Sequence, residues 1–323
     1  MKPRFLCLDL RTPTICEMAA PPVASVLCMG NFDGVHVAHR ALLQEGIRYR
    51  DERFPEGLCG VFCFFRPSID YVARPEAPAA KASHLTSLGE KLRLFADIGV
   101  DFVCLADFPS VRDLSPAEFL DELCLVTGCR AAVCGYNFRF GKGGAGNSDT
   151  LRAYFDQAHL RGASVVPEIT VDGAPVSASR IRACLSTGDV RAAKALLGRP
   201  YALDAPVVHG KRLGRIIGFP TANQYFPPER LIPAYGVYAT RCYTQYGVFT
   251  GVSNVGEHPT VDSHARVNCE TYILGLSHNL YGKRIRVEFL EYLRPERRFA
   301  NIDELTAAIR RDAETARCLL GGE

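Results

Sequence analysis

The sequence has no CxxC pair and no apolar run long enough to cross a membrane. The first absence excludes the common zinc and dithiol redox motifs, and the second excludes a transmembrane helix. The first residues, Met-Lys-Pro-Arg followed by Asp9 and Arg11, are too polar and too interrupted for a secretory signal peptide. We therefore predict a cytoplasmic protein.

Cysteine is frequent but follows no pattern. The 13 cysteines are an odd number, and they stand singly inside apolar runs. A disulfide scaffold is typical of short secreted chains, whereas this chain has 323 residues. We predict reduced, buried cysteines that fill the core as small apolar side chains.

The chain also has almost no excess of charge of either sign. Lys and Arg number 38 against 35 Asp and Glu, so the net charge is +3. So small a charge does not favour nucleic acid or a membrane as partner, although it is compatible with local basic loops that hold phosphates. With 47% hydrophobic and 23% charged residues, the composition is that of a soluble globular protein. The length favours two domains.

The first half of the chain alternates strand-like and helix-like segments. Apolar strands are predicted at 23–29, 58–65, 101–106, 131–134 and 164–169. Helices are predicted between them, and capping boxes open two of these, from Ser87 to Glu90 and from Ser115 to Glu118. Strands that alternate with helices predict a parallel sheet with helices on its faces.

The second half changes to consecutive strands with short turns, at 207–209, 236–243, 248–252, 267–274 and 285–293. One long helix follows near the C-terminus, with Asn301 or Asp303 as its N-cap. This pattern predicts a small antiparallel barrel with a C-terminal helix. A helix at 189–197 precedes the barrel, and we assign it to the second domain as a linker. The predicted domains are residues 1–188 and residues 189–323.

The segment Gly-Asn-Phe-Asp-Gly-Val-His-Val-Ala-His at 30–39 follows the first strand and opens a helix. This edge of an α/β sheet binds nucleotides, and a glycine-rich helix N-terminus favours phosphate. His36 and His39 are three residues apart, so they share one helical face and can donate hydrogen bonds to a phosphoryl group. Two surface histidines are the alternative. The candidate nucleotide-binding residues of this loop are Gly30, Asn31, Phe32, Asp33 and Gly34.

A second glycine-rich basic segment lies at 134–146 and reads Cys-Gly-Tyr-Asn-Phe-Arg-Phe-Gly-Lys-Gly-Gly-Ala-Gly. Its GxGxxG spacing begins too far beyond the strand for a dinucleotide fingerprint. The segment also resembles a Walker A loop, but it is one residue too long and lacks the Ser or Thr that should follow the lysine. We predict a mobile loop over a ligand, with Asn137 as a candidate nucleotide contact.

A third segment at 176–182, Val-Ser-Ala-Ser-Arg-Ile-Arg, opens a short helix. Serines at the start of a helix are usually caps. With Arg180 beside them, Ser177 and Ser179 can also hold a polyphosphate at the helix N-terminus. Both interpretations stand at this point.

The most informative segment is Gly-Arg-Ile-Ile-Gly-Phe-Pro-Thr-Ala-Asn at 214–223. Its glycines let backbone approach a ligand closely, and its proline stiffens the following turn. The hydroxyl and the amide at its end offer oxygens that suit Mg²⁺ beside nucleotide phosphates. A surface turn that opens a strand is the alternative. The candidate nucleotide-binding residues are Gly214, Arg215, Gly218, Pro220, Thr221 and Asn223, and the last two are also candidate metal ligands.

Together these segments resemble the bifunctional bacterial riboflavin kinase/FMN adenylyltransferase (FAD synthetase) family over nearly the whole chain. The segment at 214–223 matches the riboflavin kinase signature of that family without departure, and Glu-Thr at 270–271 is a further match. The first half departs from the family pattern in three places. Ala38 replaces the glycine of His-x-Gly-His, Ser-Ala-Ser stands at 177–179, and the loop at 64–67 is shortened.

The resemblance implies an N-terminal Rossmann-like α/β nucleotidyltransferase domain and a riboflavin kinase barrel. The barrel would phosphorylate riboflavin to FMN with Mg²⁺ and ATP, and Glu270 would accept the proton of the ribityl hydroxyl. Partial desolvation in an apolar strand suits such a base. The first domain would then adenylylate FMN with a second ATP and release pyrophosphate. His36 and His39 would stabilise the transferred phosphoryl group, and Arg180 would hold the leaving phosphates.

Other functions stay open at this point. The three departures motivate a riboflavin kinase whose N-terminal domain is weakened or inactive. A flavin- or nucleotide-binding regulatory protein without turnover belongs to another class, and an intact Glu270 disfavours it. For Glu270 itself, a solvated position on the outer face of a barrel strand is the alternative. The implied partners are ATP, riboflavin, FMN and FAD, and the sequence predicts no oligomeric state.

Overall fold

The computed structural model describes residues 5–12, 14–65, 84–157, 162–210, 214, 217–258 and 266–321. The chain forms two compact units, Met1–Ala178 and Ser179–Glu323. The compact units divide earlier along the chain than the predicted domain boundary between residues 188 and 189, and that boundary stays a prediction. Over the described ranges, no helix combines the length and the apolar character that crossing a membrane requires.

The first unit contains a sheet whose middle strands are parallel. Its described strands are β1 (Phe5–Asp9), β2 (Cys16–Glu17), β3 (Ser25–Met29), β4 (Leu58–Phe64), β5 (Phe102–Ala106), β6 (Cys129–Gly135) and β7 (Ala163–Val166), in the order β2-β1-β5-β4-β3-β6-β7. The strands β3 to β7 pair in parallel, whereas β1 and β2 add an antiparallel edge. The prediction of a parallel sheet is confirmed, and the antiparallel edge is an addition to it. A two-stranded hairpin of β8 (Thr170–Val171) and β9 (Ala174–Pro175) follows.

Helices cover both faces of this sheet. They are α1 (Val37–Arg53), α2 (Leu88–Ile98), α3 (Phe108–Val111), α4 (Pro116–Thr127) and α5 (Ser148–Gln157). Alternate residues of β3 enter different cores, since Val26 belongs to one apolar cluster and Leu27 to the other. Ser115 and Glu118 form the predicted capping box of α4. The arrangement confirms a doubly covered α/β sheet.

The strand order creates a crevice between β3 and β6. From β3 onward, the parallel strands follow the order 3-2-1-4-5, so the connections leave β3 and β6 in opposite directions. In open α/β sheets, ligands bind outside the carboxyl ends of the strands at such a switch point. The loops that follow Met29 and Gly135 therefore meet where a nucleotide is expected.

The second unit is a curled antiparallel sheet. Its elements are α6 (Ala178–Ser186), α7 (Val190–Leu197), β10 (Tyr201–Pro206), β11 (Thr221–Tyr225), β12 (Gly236–Thr244), β13 (Gly247–His258), β14 (Arg266–Ile273), β15 (Arg284–Arg294) and α8 (Ile302–Leu320). The strand order is β10-β15-β12-β13-β14-β11, and every pair is antiparallel. Asn301 is the N-cap of α8, as predicted. The predicted strand at 207–209 is wrong, because the strand lies at Tyr201–Pro206 instead.

Two contacts close the sheet into a barrel. The Val208 N–H donates to the Asn223 carbonyl at 2.8 Å, which joins the chain after β10 to β11. The amide of Gln224, fully buried, donates to the carbonyls of Ala205 at 2.7 Å and Ile285 at 2.9 Å. The prediction of a small antiparallel barrel with a C-terminal helix is therefore confirmed.

The two faces of the barrel sheet have different chemistry. Inside, the buried hydroxyls of Thr240, Ser253 and Thr271 form a chain with oxygen–oxygen distances of 2.9 and 2.8 Å. Outside, α8 packs on the sheet through Ala313 and Ala316. We call these the hydroxyl chain and the α8 face. Because side chains alternate along a strand, each residue of β14 belongs to one of these two environments.

The cysteines are free thiols. Most are buried or partly buried, which confirms their predicted role as core residues. Cys16 and Cys318 are exposed, so the prediction of burial is wrong for these two. Both lie where the chain offers little cover, Cys16 on the short edge strand β2 and Cys318 in the last turn of α8.

Candidate active sites

A cleft of about 820 Å³ lies at the switch point of the first unit. Gly30, Asn31 and His39 line it from the first loop and α1, and Asn137 lines it from the loop after β6. The structure therefore brings two of the predicted segments together in one cavity. The basic side chains of Arg112, Arg139 and Lys142 also line the cleft, which favours an anionic ligand.

The two predicted histidines stack on each other at the start of α1. Their ring centroids are 3.5 Å apart and the ring planes differ by 12°. His36 is the N-cap of the helix and not part of it, and its Nδ1 accepts from the His39 N–H at 3.3 Å. A neutral His36 must therefore carry its proton on Nε2.

His39 is held in an environment that disfavours charge. Its Nδ1 is inaccessible to solvent and has no hydrogen-bond partner within the described part of the chain. Burial, with the neighbouring His36 and Lys91, lowers the pKa of His39 well below 6.5. The ring is therefore neutral near pH 7 and suits a hydrogen-bond donor in the cleft.

The buried side of the first loop is formed by Phe32, Asp33 and Gly34. The Phe32 ring is fully buried and packs edge-on against Phe95. Asp33 Oδ1 accepts from the N–H of Leu85 at 3.0 Å, and the Gly34 N–H donates to the Thr86 hydroxyl at 3.1 Å. These contacts hold the loop against the segment before α2. The predicted nucleotide contacts of the three residues stay predictions.

Lys91 contacts the first loop of the candidate site and was not predicted from the sequence. Its side chain is only 3% exposed, and its Nζ donates to the Asn31 carbonyl at 3.1 Å. Lys91 lies one turn before Phe95 on the buried face of α2. A lysine at a core-facing position of an amphipathic helix was the available signal. The buried ammonium places a positive charge beside the loop that faces the cleft.

The third predicted segment begins α6. Ser177 and Arg180 are partly buried and Ser179 is exposed. From Ser179 onward the chain belongs to the second compact unit. The predicted grip of these residues on phosphates stays a prediction.

In the second unit, the pairing of β11 with β14 places the predicted base opposite a predicted metal ligand. Asn223 and Glu270 are directly opposite in the antiparallel register, and Asn254 of β13 is opposite Glu270 on its other side. Directly opposite residues share a face of the sheet. Thr221, two residues before Asn223, lies on this same α8 face.

Two cavities share Thr221 in their walls. One, of about 300 Å³, lies under α8 and is lined by Glu270, Tyr272 and Phe219 among others. The other, of about 490 Å³, lies at the end of the barrel and is lined by Pro220, Tyr281 and neighbouring residues. Thr221 lines both. Glu270 lies on the outer face of the barrel sheet, where it is partly buried and lines the cavity under α8.

The glycines of this segment have distinct geometric roles. A side chain at Gly214 would collide with the carbonyl oxygen of Phe219. The N–H of Phe219 donates to the Gly214 carbonyl at 2.7 Å, which holds the two residues close together. Gly218 has φ of 84°, a conformation that favours glycine. The predicted contact Arg215 lies outside the described residues.

Thr221 and Asn223 are the candidate ligands for a magnesium ion that arrives with a nucleotide, and the Asn223 Nδ2 lies 3.4 Å from the Thr221 hydroxyl. Thr221 and Asn223 offer neutral oxygens, and no group of three or more His, Cys, Asp or Glu suited to a metal occurs in the described ranges. A Cβ on Gly210 would lie 2.7 Å from Asn223 Nδ2, so glycine there leaves room at the amide. Mg²⁺ keeps several waters and needs few protein ligands when phosphates bind it.

The aromatic residues near the site divide between cavity and core. Phe219 lies edge-on to Tyr272 in the cavity under α8, with ring centroids 5.2 Å apart. Phe226 is buried and stacks on Phe289, so it belongs to the barrel core. Phe219 and Tyr272 therefore line the cavity under α8, whereas Phe226 does not.

The fold and both sites define a two-domain transferase that uses nucleotides. A family model described as FAD synthetase matches residues 19–180, and one described as riboflavin kinase matches residues 197–320. The bifunctional riboflavin kinase/FMN adenylyltransferase of Bacillus subtilis (strain 168) is 32% identical over 296 residues, covering 90% of this chain and 91% of that protein. The chain belongs to the bifunctional riboflavin kinase/FMN adenylyltransferase family.

A second curated relative agrees with this membership, and a solved structure shares the fold. The Escherichia coli (strain K12) protein of the same name is 38% identical over 311 residues, covering 94% of this chain and 95% of its own length. A crystal structure described as a macrolide-efflux protein from Streptococcus pneumoniae aligns over 96% of this chain and 97% of that chain, with a TM-score of 0.81 and 27% identity. Its name differs from those of the curated relatives, and what it adds is the two-domain fold.

Proposed function

We propose that the chain phosphorylates riboflavin to FMN and then adenylylates FMN to FAD, using one ATP for each step. The observation that carries the kinase step is the position of Thr221 in the walls of two cavities, one of which contains Glu270. The stacked pair of His36 and His39 beside the switch-point cleft supports the second step. FMN is the product of the first reaction and the substrate of the second.

In the kinase step, riboflavin occupies the cavity under α8 and ATP occupies the cavity at the barrel end. Glu270 accepts the proton of the ribityl 5′-hydroxyl as that oxygen bonds to the γ-phosphorus. The bond from the γ-phosphorus to the bridging oxygen breaks, and ADP leaves. Thr221 stands where the two substrates meet, so the protein mainly positions groups and neutralises charge, as is usual in phosphoryl transfer.

Thr221 and Asn223 hold the magnesium ion in this proposal. Bound there with the phosphates, Mg²⁺ would offset the negative charge that develops on the transferred group. Two neutral protein oxygens leave the remaining ligand positions to phosphate oxygens and water. The protein residues themselves supply orientation, because Asn223 is clamped in the β11–β14 ladder.

In the second step, a phosphate oxygen of FMN bonds to the α-phosphorus of ATP, and pyrophosphate leaves. His39 and His36 donate hydrogen bonds to the oxygens of the transferred group. The buried ammonium of Lys91 and the basic residues of the cleft favour the binding of so much negative charge. Arg180 remains the residue predicted from sequence to hold the leaving phosphates.

The alternative of a weakened first domain rested on three departures, and Ala38 is the one that lies beside the histidine pair. Ala38 lies in the first turn of α1, where alanine favours a helix more than glycine does. The two histidines on either side of it stack in spite of the change. Together with the match of residues 19–180 to the FAD synthetase model and the bifunctional relatives, this supports both reactions over a kinase alone.

Incubation of the purified protein with riboflavin and Mg²⁺-ATP, followed by chromatography, tests the proposal. Accumulation of FMN and then FAD is the expected result. Absence of FMN would refute the kinase step. A separate incubation with FMN and ATP, with pyrophosphate as the readout, isolates the second step, and FMN left unconverted there would refute it. A cytoplasmic location and the absence of nucleic acid or membrane partners remain predictions from the sequence.

A further inference from the structure

One buried amide touches both functional side chains of the β11–β14 pair. Asn268 lies on β14, two residues before Glu270, so both share the α8 face. Its Nδ2 is 3.1 Å from Asn223 Oδ1 and 3.3 Å from Glu270 Oε1. The side chain is only 3% exposed, and its Oδ1 has no hydrogen-bond partner within the described part of the chain.

The chemistry of the neighbours determines the orientation of this amide. An ionised carboxylate accepts hydrogen bonds and donates none, so the NH₂ group of Asn268 must face Glu270. The same NH₂ group reaches Asn223, which must then present its oxygen. The NH₂ group of Asn223 then faces the Thr221 hydroxyl at 3.4 Å. The amide of Asn268 thus orients the side chains of both Glu270 and Asn223.

This arrangement has a cost that Asn268 shares with Gln224, whose amide oxygen is also buried without a hydrogen-bond partner in the described ranges. A buried amide oxygen without a partner is destabilising, and buried polar atoms in native proteins are nearly always paired. Leucine at this position would fill similar volume without the penalty. The contacts that the asparagine gains are both with residues of the proposed reaction.

We propose that Asn268 is a positioning residue for phosphoryl transfer, whose amide holds the carboxylate of Glu270 and the oxygen of Asn223 in one fixed arrangement. The proposal rests on the kinase function proposed above. Asn268 acts through these two residues and touches neither substrate. Its loss should therefore lower the rate of the chemical step more than the affinity for riboflavin.

Two variants test this role. Asn268→Leu removes the donor, and Asn268→Asp keeps the shape while placing an acceptor against a carboxylate. We expect kcat for FMN formation to fall by about 10- to 100-fold in each, the usual value of hydrogen bonds to a charged group. KM for riboflavin should change less than about threefold, since binding contacts remain.

A metal readout separates positioning from general loss of activity. Mn²⁺ takes the same oxygen ligands as Mg²⁺ and is visible by electron paramagnetic resonance. With ADP present, we expect the affinity for Mn²⁺ to fall several-fold in Asn268→Leu, because Asn223 loses its fixed rotamer. In a Glu270→Gln background, Asn268→Leu should cost less in kcat than in the wild-type chain, since coupled residues are not additive.

Gln224→Met is the matched control, because Gln224 is as deeply buried on the opposite face of β11 and donates to backbone only. It should lower the thermal midpoint yet keep kcat. Wild-type-like kcat and Mn²⁺ affinity in both Asn268 variants would overturn the proposal, as would an equal loss of kcat in Gln224→Met. A wild-type chain that forms no FMN would instead overturn the kinase function itself.

Discussion

The rings of His36 and His39 stack face to face, with centroids 3.5 Å apart, at the N-terminus of α1. Two protonated imidazoles at this distance would repel each other, so the stack disfavours protonation of both rings at once. The His36 Nδ1 accepts from the His39 N–H at 3.3 Å, and His39 lines the cleft. Because burial lowers its pKa, His39 offers a hydrogen-bond donor without adding fixed charge.

Replacement of His39 should separate the two reactions. We expect His39→Asn to lower the rate of FAD formation by about 10²- to 10³-fold, the usual cost of removing one donor to a charged transition state. FMN formation in the same chain should be unchanged, because the kinase site lies in the other compact unit. A parallel assay of both products gives the internal control. An undiminished rate of FAD formation would show that His39 has no part in the transfer.

Stability should depend on pH through His39. The folded-state pKa of His39 is lowered well below 6.5, so the unfolded chain binds a proton at higher pH than the folded chain. This contribution to stability is complete above about pH 6.5 and is lost as pH falls through the folded-state pKa. Urea denaturation from pH 7.5 down to about 5 should show the free energy of unfolding decreasing, and His39→Asn should flatten that decrease. The same slope in the variant would contradict this assignment.

The sequence predicted the histidine pair from its spacing but not its geometry. His36 and His39 were expected on one helical face, whereas His36 is the N-cap and reaches the helix through its own Nδ1. The edge strand Phe5–Asp9 was not predicted. It pairs with β5, far along the chain, and a partner so remote leaves no local pattern.

The buried ammonium of Lys91 should raise the efficiency of the first unit. We expect Lys91→Met to lower kcat for FAD formation by about tenfold, because the Asn31 carbonyl loses a charged donor. The pKa of His39 should rise, since one of the charges that lowers it is removed. Imidazole titration by nuclear magnetic resonance measures this rise. Lys194→Met, at an exposed position of α7, is the control and should change neither quantity. A His39 pKa that stays unchanged in Lys91→Met would argue against this coupling.

Replacement of the proposed base should spare binding. We expect Glu270→Gln to lower kcat for FMN formation by about 10²- to 10⁴-fold, the range for loss of a general base. Riboflavin affinity, measured by fluorescence quenching, should change little, because the amide keeps the shape of the carboxylate. Glu257→Gln on the neighbouring strand is a matched control with an exposed carboxylate. Full turnover in Glu270→Gln would exclude it as the base.

The kinase residues were found from a motif and not from physical patterning. Asn223 and Glu270 are directly opposite in the sheet, yet the register that pairs them depends on contacts across the barrel. Asn268 was missed because a single asparagine in a strand carries no signal of its own. Alternation from Glu270 would have placed it on the same face once the register was known.

The C-terminal helix should depend on one ion pair. The carboxylate of Asp312 accepts from the guanidinium of Arg294 at 2.7 and 3.2 Å, and both side chains are largely buried. We expect Asp312→Asn to lower the free energy of unfolding by about 2 kcal/mol, because a buried charge is left with a weaker partner. FMN formation should fall as well, since α8 covers the cavity that contains Glu270. Asp303→Asn, exposed in the first turn of α8, should stay within about 0.5 kcal/mol of wild type in chemical denaturation. Equal stability of the two variants would show that the pair does not anchor the helix.

The hydroxyl chain inside the barrel has a consequence for the reaction on the outside. Thr271 contributes to that chain, and its neighbour Glu270 faces the cavity under α8. A slip of β14 by one residue would bury the carboxylate in the barrel and break the hydroxyl chain at once. The buried carboxylate and the broken hydroxyl chain would occur together, and inside the barrel no water could replace the lost hydrogen bonds. The carboxylate of Glu270 therefore faces the cavity only in the native register, and a slipped strand would give an inactive barrel and not a partly active one.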